Sequence, residues 1–500
     1  MAFPVGGRSK YDGQTAPDAT IQDSLSAPPF TTPQFYEKSP ALAAAAPFTA
    51  FSGGIPHANV ASAPSTLPLV PLSASVLSCE MKTVVLLTLL SVTVPTALGA
   101  AESAATVETK IDQAWTVVWD RFFQPDSQTF MDYLSSYEPG KELSHLPTAE
   151  EVARQYPNPC GYSTGMEDGM ILGGAMLSTL CDRFAVTGEA NLRGRAAEVF
   201  AGIRRCATVH GVPGFIARNV CPEDRKSVYI NSSRDQYTHF VHGLWKYYRS
   251  PLADEATKVE IRDILAAVAE RMIEFVTPEN NYDFCRADGS RCPLGICRMW
   301  KVQAHEAARL PMIYAAAWET TGEPRYRQLW RQYVAEAVKQ SAAPSKHNAA
   351  YALLQMQCSL EVLYELEPDS ELKAEIHHTM EHVSSLAAPR LDHVMQSIAG
   401  KSEQQLQMLG PDWRQVKEWI NQAGYPNPQW GPYREIWHLF REAGESALIP
   451  MMVHDASIDA TQQQHLERLI LQTDYLHNSS CGIVYHLAAY WKARRVAMLP

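Results

Sequence analysis

Positive charge is scarce in this chain of 500 residues, and nowhere is it gathered. There are 43 Lys and Arg against 54 Asp and Glu, a formal net charge of −11, and no basic stripe able to neutralise a phosphate backbone. A nucleic-acid partner is excluded on that ground, although a single well-placed Arg can still serve an anionic ligand. Alternation of apolar and polar residues never persists beyond a few positions, which excludes an extended β architecture. No Cys or His spacing matches a zinc pattern. His239 and His242 stand three apart and offer two ligands at most, so neither a metal nor another cofactor is expected.

Long apolar runs are equally rare. One opens at Met81-Lys82-Thr83 and continues from Val84 to Leu90, with a basic residue at its start, too few residues to span a bilayer, and small residues at Ala97-Leu98-Gly99 before Ala100. That is the pattern of a secretory signal, displaced from the N-terminus where signals belong. Residues 1–80 are rich in Pro, Ala, Ser and Thr and show no period. Either translation begins at Met81 and they are an annotation artefact, or they form a disordered N-terminal extension. The expected division is thus an extension over 1–80, a signal peptide over 81–99 and a single domain over 100–500, secreted or periplasmic. No Cys follows the cleavage point directly, so no lipid anchor is expected after it is cut. Nine of the ten Cys lie beyond it. An oxidising compartment would permit bridges within the loop holding Cys285, Cys292 and Cys297, whereas Cys181, Cys206 and Cys358 sit on apolar helical faces as buried thiols.

What is present is helix. Apolar residues recur at helical spacing over about 106–123, 166–187, 191–208, 234–249, 254–276, 302–320, 324–342, 347–366, 370–386, 433–449, 461–475 and 482–495, about twelve segments. The links alternate in length. Thr187-Gly188-Glu189, Ser250 to Asp254 and Thr321-Gly322-Glu323 are short and imply antiparallel hairpins, while long stretches precede 166, 234, 302 and 433. Five hairpins follow, and the first helix pairs with the last to make a sixth. This is the plan of an all-α (α/α)6 toroid, whose inner helices start near 166, 234, 302, 347, 433 and 482. An open helical solenoid is the competing arrangement, but no repeat period supports it.

Polar clusters fall at those inner starts: Glu167 and Asp168, then Arg234 to His242, His305 and Glu306, His347 and Asn348, Tyr433 to Glu435, and Asn478 before the last helix. Each has a plainer explanation. Thr164 to Glu167 and Ser233 to Gln236 read as capping boxes, and Asp168 as a charge at the favourable end of the helix dipole. Capping does not account for Arg234, which either orients Asp235, clamps a uronate carboxylate, or sits in an internal ion pair. Tyr237 and His239 face different ways, and His242 reads as a hydrogen-bonded core histidine. His305 and Glu306 are an acid/base pair or a buried hydrogen-bonded pair, on a helix that Pro311 weakens. The loop from Gly424 to Pro432 offers Tyr425 and Trp430 either as stacking platforms for sugar rings or as a lid packed on the rim.

Within this frame the chain resembles the six-hairpin glycosidase superfamily, most nearly the unsaturated glucuronyl and rhamnogalacturonyl hydrolases. Glu167-Asp168-Gly169-Met170 is similar to that group's Asp-x-Gly-Phe. The stretch Asn231 to Trp245, with Arg234, Gln236, Gly243 and Trp245, is similar to its Trp-Ala-Arg-Gly-Gln-Ala-Trp segment. Leu310-Pro311-Met312 followed by Thr320-Thr321-Gly322-Glu323 resembles its helix and downstream turn. The likeness covers about residues 160 to 345. It implies the toroid and a carbohydrate-sized cleft. Where that group has an essential Asp before the helix proline, this chain has His305 and Glu306, so the group's hydration reaction is not carried over.

Three functions are then expected in order. The first is a glycoside hydrolase for an acidic, uronate-containing oligosaccharide, with Asp168 and Asp235 as the carboxylate pair and Glu167, Glu306 and His305 as substitutes. Arg234, Asn231, Gln236, Tyr237, His239, His347, Tyr425 and Trp430 would line the substrate. The second is a polysaccharide lyase using a Tyr or His base, with Arg or Asn neutralising the carboxylate. The third is a non-catalytic glycan-binding protein built on the Trp430 loop.

Overall fold

The structure is a computed structural model that describes residues 97–456 and 459–496. The expected extension, and residues 81–96 of the expected signal, lie outside the described residues. Twelve helices carry the architecture: α1 Ala97–Val117, α2 Gly169–Thr187, α3 Leu192–Thr208, α4 Arg234–Arg249, α5 Glu255–Phe275, α6 Arg309–Thr321, α7 Pro324–Ser341, α8 Ala350–Leu366, α9 Ser370–Ala399, α10 Tyr433–Leu448, α11 Ala460–Gln472 and α12 Val484–Arg495. Two single-turn helices, Ala149–Ala153 and Glu403–Leu406, decorate the loops.

The even-numbered helices form a closed ring. Each packs on the next in the order α2, α4, α6, α8, α10, α12, and α12 returns to α2. The odd-numbered helices lie outside, α3 on α2, α7 on α6 and α9 on α8, with α5 against α4 and α6, and α1 against α12 and α11. The chain is an (α/α)6 toroid, and the open solenoid is ruled out by the α12–α2 contact.

Local chemistry produces this plan. α2 is apolar on all sides, apolar enough by length and composition to cross a membrane, yet most of it is buried, because an inner helix has neighbours all round. It ends at Gly188, whose φ of 66° supplies the left-handed turn and returns its N–H to the Phe184 carbonyl. Gly322 ends α6 in the same way, with Pro324 opening α7 at once. α2 and α4 cross at glycines: a Cβ on Gly174 would lie 2.1 Å from the His239 carbonyl oxygen, and one on Gly243 would lie 2.6 Å from that of Gly174.

At the C-terminal end of the inner ring, buried charges tie the inner helices together, both neighbours and helices across the ring. Lys246 of α4 pairs with Asp182 of α2 at 3.0 Å, and Lys492 of α12 with Glu361 of α8 at 2.8 Å. Glu361 also meets His242 Nε2 at 2.6 Å, the core role expected for that imidazole. The N-terminal end is left to the long loops.

Several sequence expectations are corrected. The segment expected over 302–320 is a 3-10 turn at Ala304–Glu306 followed by α6, so Pro311 falls in the first helical turn, where its missing N–H costs no ladder bond and no kink is needed. α9 runs to Ala399 rather than 386, through Pro389. Residues 419–428 form a β-hairpin, β3 Trp419–Gln422 with β4 Tyr425–Pro428, after a smaller pair, β1 Phe123–Gln124 with β2 Thr129–Phe130. Its two-residue turn, Ala423 at φ 51° and Gly424 at φ 86°, has the left-handed pair that hairpin twist requires.

Candidate active site

Two walls of charge stand at the N-terminal starts of the inner helices α2, α4 and α6. The first wall is built by Asp132, a residue of the loop after β2. Its carboxylate accepts the backbone N–H of Glu167 at 2.8 Å and of Asp168 at 3.1 Å, which fixes the turn into α2. Neither acid is spent on the helix. Asp168 occupies the N-cap position but makes no capping bond. Its carboxylate takes Gln236 Nε2 at 3.2 Å, the Arg441 guanidinium, and Arg218 at 4.0 Å. Glu167 accepts the Ser163 N–H at 2.6 Å, so the expected capping box with Thr164 is absent. Burial, and then the charge of Asp168, push the Glu167 carboxyl up to about 7. Arg434 and Arg218 oppose that rise.

The second wall belongs to α4 and α6. Arg234 pairs with Glu306 and donates from Nη1 to the Gly295 carbonyl at 2.9 Å, so it is the internal ion pair and does not orient Asp235. Glu306, which burial alone would raise, is held below the usual carboxylate range by Arg234, Arg309 and His305. His305 lies 3.6 Å from Glu306, bonds the Asn348 amide at 3.1 Å, and is pushed down to about 4 by burial. Asp235 pairs with Arg309, whose other Nη donates to Gln355 Oε1 at 2.7 Å. Burial works against its charge, yet Arg309 and Arg234 hold the Asp235 carboxyl down to about 2.

Gln236 joins the walls. Its Nε2 donates to the Glu167 carbonyl at 2.9 Å and to Asp168, and its Oε1 accepts the Met170 N–H at 3.2 Å. Ser233 does cap the Gln236 N–H at 3.4 Å, but only that half of the expected capping box forms. Below, Arg441 binds Glu445 at 2.7 Å, and burial raises the Glu445 carboxyl to about 7.

The structure therefore places Glu167 and Asp168 before α2, Arg234, Asp235 and Gln236 in the first turn of α4, and His305 and Glu306 before α6, tied by Gln236 to the Glu167 carbonyl and Asp168 and by Arg234 to Glu306. Other expected residues are elsewhere. Tyr237 is fully buried, its hydroxyl donating to the Gly214 carbonyl and accepting the Ile216 N–H, so it reaches no substrate. Asn231 is buried among thiols. His239 is buried one turn deeper, with Nε2 unpartnered among the described residues. Trp430 packs between Tyr133, Tyr433 and Trp437 and donates to the Ser163 carbonyl, which makes it part of the rim rather than a stacking platform. Tyr425 is buried as well, with its hydroxyl against Arg286 at 3.2 Å. His347 is exposed on the loop before α8.

Asp132, Arg218, Arg309, Gln355, Arg441 and Glu445 escaped the sequence reading. Arg309 directly precedes the Leu310-Pro311 pair and had a positional signal. Arg441 and Glu445 lie two and three turns into an inner helix, where charge on a core face was the available clue. Asp132 and Arg218 sit in irregular loops without one.

The site and fold define a six-hairpin toroid with charged clusters at the inner helix starts. No protein-family model matches the chain, and no curated protein matches it. Among solved structures it is similar to a sugar epimerase from a ruminal bacterium, at 11% identity over 72% of this chain and 85% of that one, TM-score 0.40. It is similar also to the cellobiose 2-epimerase of Spirochaeta thermophila DSM 6192 (13% identity, 81% and 99% coverage, TM-score 0.40). A third is a family 76 glycoside hydrolase, a mannosidase, of Bacteroides thetaiotaomicron VPI-5482 (10% identity, 79% and 99%, TM-score 0.39).

Proposed function

We propose that this protein is an exported glycoside hydrolase acting on an acidic oligosaccharide, with Glu167 as proton donor and Asp235 as the ionised carboxylate. One observation carries the reading: two carboxyls at the starts of adjoining inner helices, linked through Gln236, the residue after Asp235, which bonds the Glu167 carbonyl, with one carboxyl raised to about 7 and the other held down to about 2. Such a pair divides acid from base at neutral pH. Glu167 keeps its proton to give to a leaving oxygen, while Asp235 stays charged and stabilises positive charge developing on the sugar. Asp168, clamped by Arg441 and Gln236, is a positioning residue in this scheme rather than the base. Arg434, half-buried at the start of α10 and close enough to Glu167 to lower its proton affinity, is the cation offered to a uronate. Export rests on the Met81 to Gly99 pattern alone.

The lyase alternative loses its tyrosine, because Tyr237 is in the core. Incubation of the purified protein with acidic oligosaccharides tests the reading, following reducing ends and ultraviolet absorbance together. New reducing ends without a rise in absorbance are expected. A rise from conjugated uronate would mean elimination and overturn it, as would tight binding without turnover.

A further inference from the structure

Three thiols converge on one carboxamide three residues before Arg234, and no step above uses them. Asn231 Nδ2 lies 2.8 Å from Cys160 Sγ and 3.2 Å from Cys292 Sγ, while Cys297 Sγ lies 3.7 Å from Asn231 Oδ1 and 3.4 Å from the Ser232 carbonyl. All three are buried and unbridged. Cys285, the fourth cysteine of this region, turns away to the Asp283 carbonyl. Metal binding is a poor explanation: among the described residues no His, Asp or Glu completes a ligand set with them.

Cys292 and Cys297 bracket a tight turn. Gly295, at φ 68°, donates its N–H to the Cys292 carbonyl at 3.1 Å, and the chain doubles back so that both sulfurs face Asn231. Arg291 and Pro293 on either side of Cys292 are exposed, so the turn is open to small molecules. We propose that Cys292 and Cys297 are a disulfide-forming pair, a modification site closed by thiol–disulfide exchange with a small disulfide such as oxidised glutathione.

The Cys292 thiolate attacks one sulfur of the small disulfide, whose S–S bond breaks and releases one thiolate. Cys297 gives up its proton to the thiolate just released and attacks Cys292 Sγ, breaking the mixed disulfide and releasing the second thiolate, which takes a proton from water. Two electrons pass from the protein dithiol to the small disulfide. The hydrogen bond from the Cys297 thiol, opposed by burial, brings Cys292 down to about 7, and burial pushes Cys160 up to about 12. Cys292 is therefore the attacking sulfur and Cys160 the bystander. The closed turn contains Gly295 and Ile296, whose carbonyls receive the Arg234 side chain and backbone N–H, so the bond would brace the wall that carries Asp235.

Tryptic cleavage at Arg291 and Arg298 puts both cysteines in one peptide and leaves Cys160 in another. The whole protein, equilibrated with reduced and oxidised glutathione, denatured, alkylated and digested, should yield the 292–298 peptide unalkylated and two hydrogens light. Reduction before alkylation should restore two alkyl groups. The same result is expected in Cys160→Ser. Recovery of the peptide fully alkylated without reduction, or cross-linked to the Cys160 peptide, would overturn the proposal. Neither outcome depends on the glycosidase reading, since no activity is measured.

Discussion

Glu167 and Asp168 are neighbours in the chain, yet their surroundings differ. Asp168 lies between two guanidiniums, whereas Glu167 faces burial and the negative charge beside it. The difference gives Glu167 a proton to donate at neutral pH. Activity should accordingly be high below about 7 and fall as pH rises through that value, because the acid form is the working form. Glu167→Gln should lower kcat by about 10²- to 10⁴-fold, the range for a lost general acid, and abolish that basic limb while circular dichroism stays unchanged. Asp235→Asn should remove turnover with a modest stability loss of about 1–2 kcal/mol, since its partner Arg309 is buried but Asp235 itself is partly solvated; urea denaturation checks the second part. At this scale the sequence was half legible. The Arg234-Asp235 pair stood out as something capping does not require, but both residues bind partners more than seventy positions away, Glu306 and Arg309. No local pattern encodes those choices.

Among the elements, the α2–α4 crossing is the most demanding. Gly174 faces the His239 carbonyl at a distance no Cβ can share. Gly174→Ala should cost about 1–3 kcal/mol by overpacking, and because the crossing sets Gln236 against Glu167, it should also lower turnover. Gly194 makes the contrast: it lies in α3 with open space where a Cβ would stand. Gly194→Ala should leave activity alone and add about 0.5–1 kcal/mol through helix propensity. Chemical denaturation of both variants separates packing from propensity. Helix existence was readable from periodicity, and the short links from Gly188 and Gly322. The hairpin at 419–428 was not, because its strands contain two prolines and its turn begins with Ala rather than Asn or Asp.

For the whole molecule, buried imidazoles set the acid limit. Burial drives His145 and His438 down to about 3, His305 and His486 to about 4, and His239 well below the ordinary value. A neutral buried histidine contributes stability above about 6.5, its unfolded value, and loses it as pH falls, by about 1.4 kcal/mol per unit for each group. Glu167, Glu445 and Asp132 act oppositely, since carboxyls raised by burial gain relative stability as pH falls. The imidazoles outnumber them. The melting temperature should therefore drop between pH 6.5 and 4.5, measured by calorimetry at constant ionic strength; a flat profile would mean that the histidines are hydrated.

The sequence by itself determined the helices, their alternating links and the order of six hairpins, because helical periodicity and left-handed glycine caps are local properties written in neighbouring residues. Only the tertiary structure decided which charges meet. Closing the ring brought Asp132, Arg309 and Arg441 from distant segments onto the inner helix starts, and it buried Tyr237 and Trp430. A carboxyl's proton affinity depends on burial and on charges within a few ångströms, and both are set by which segments the closed ring brings together.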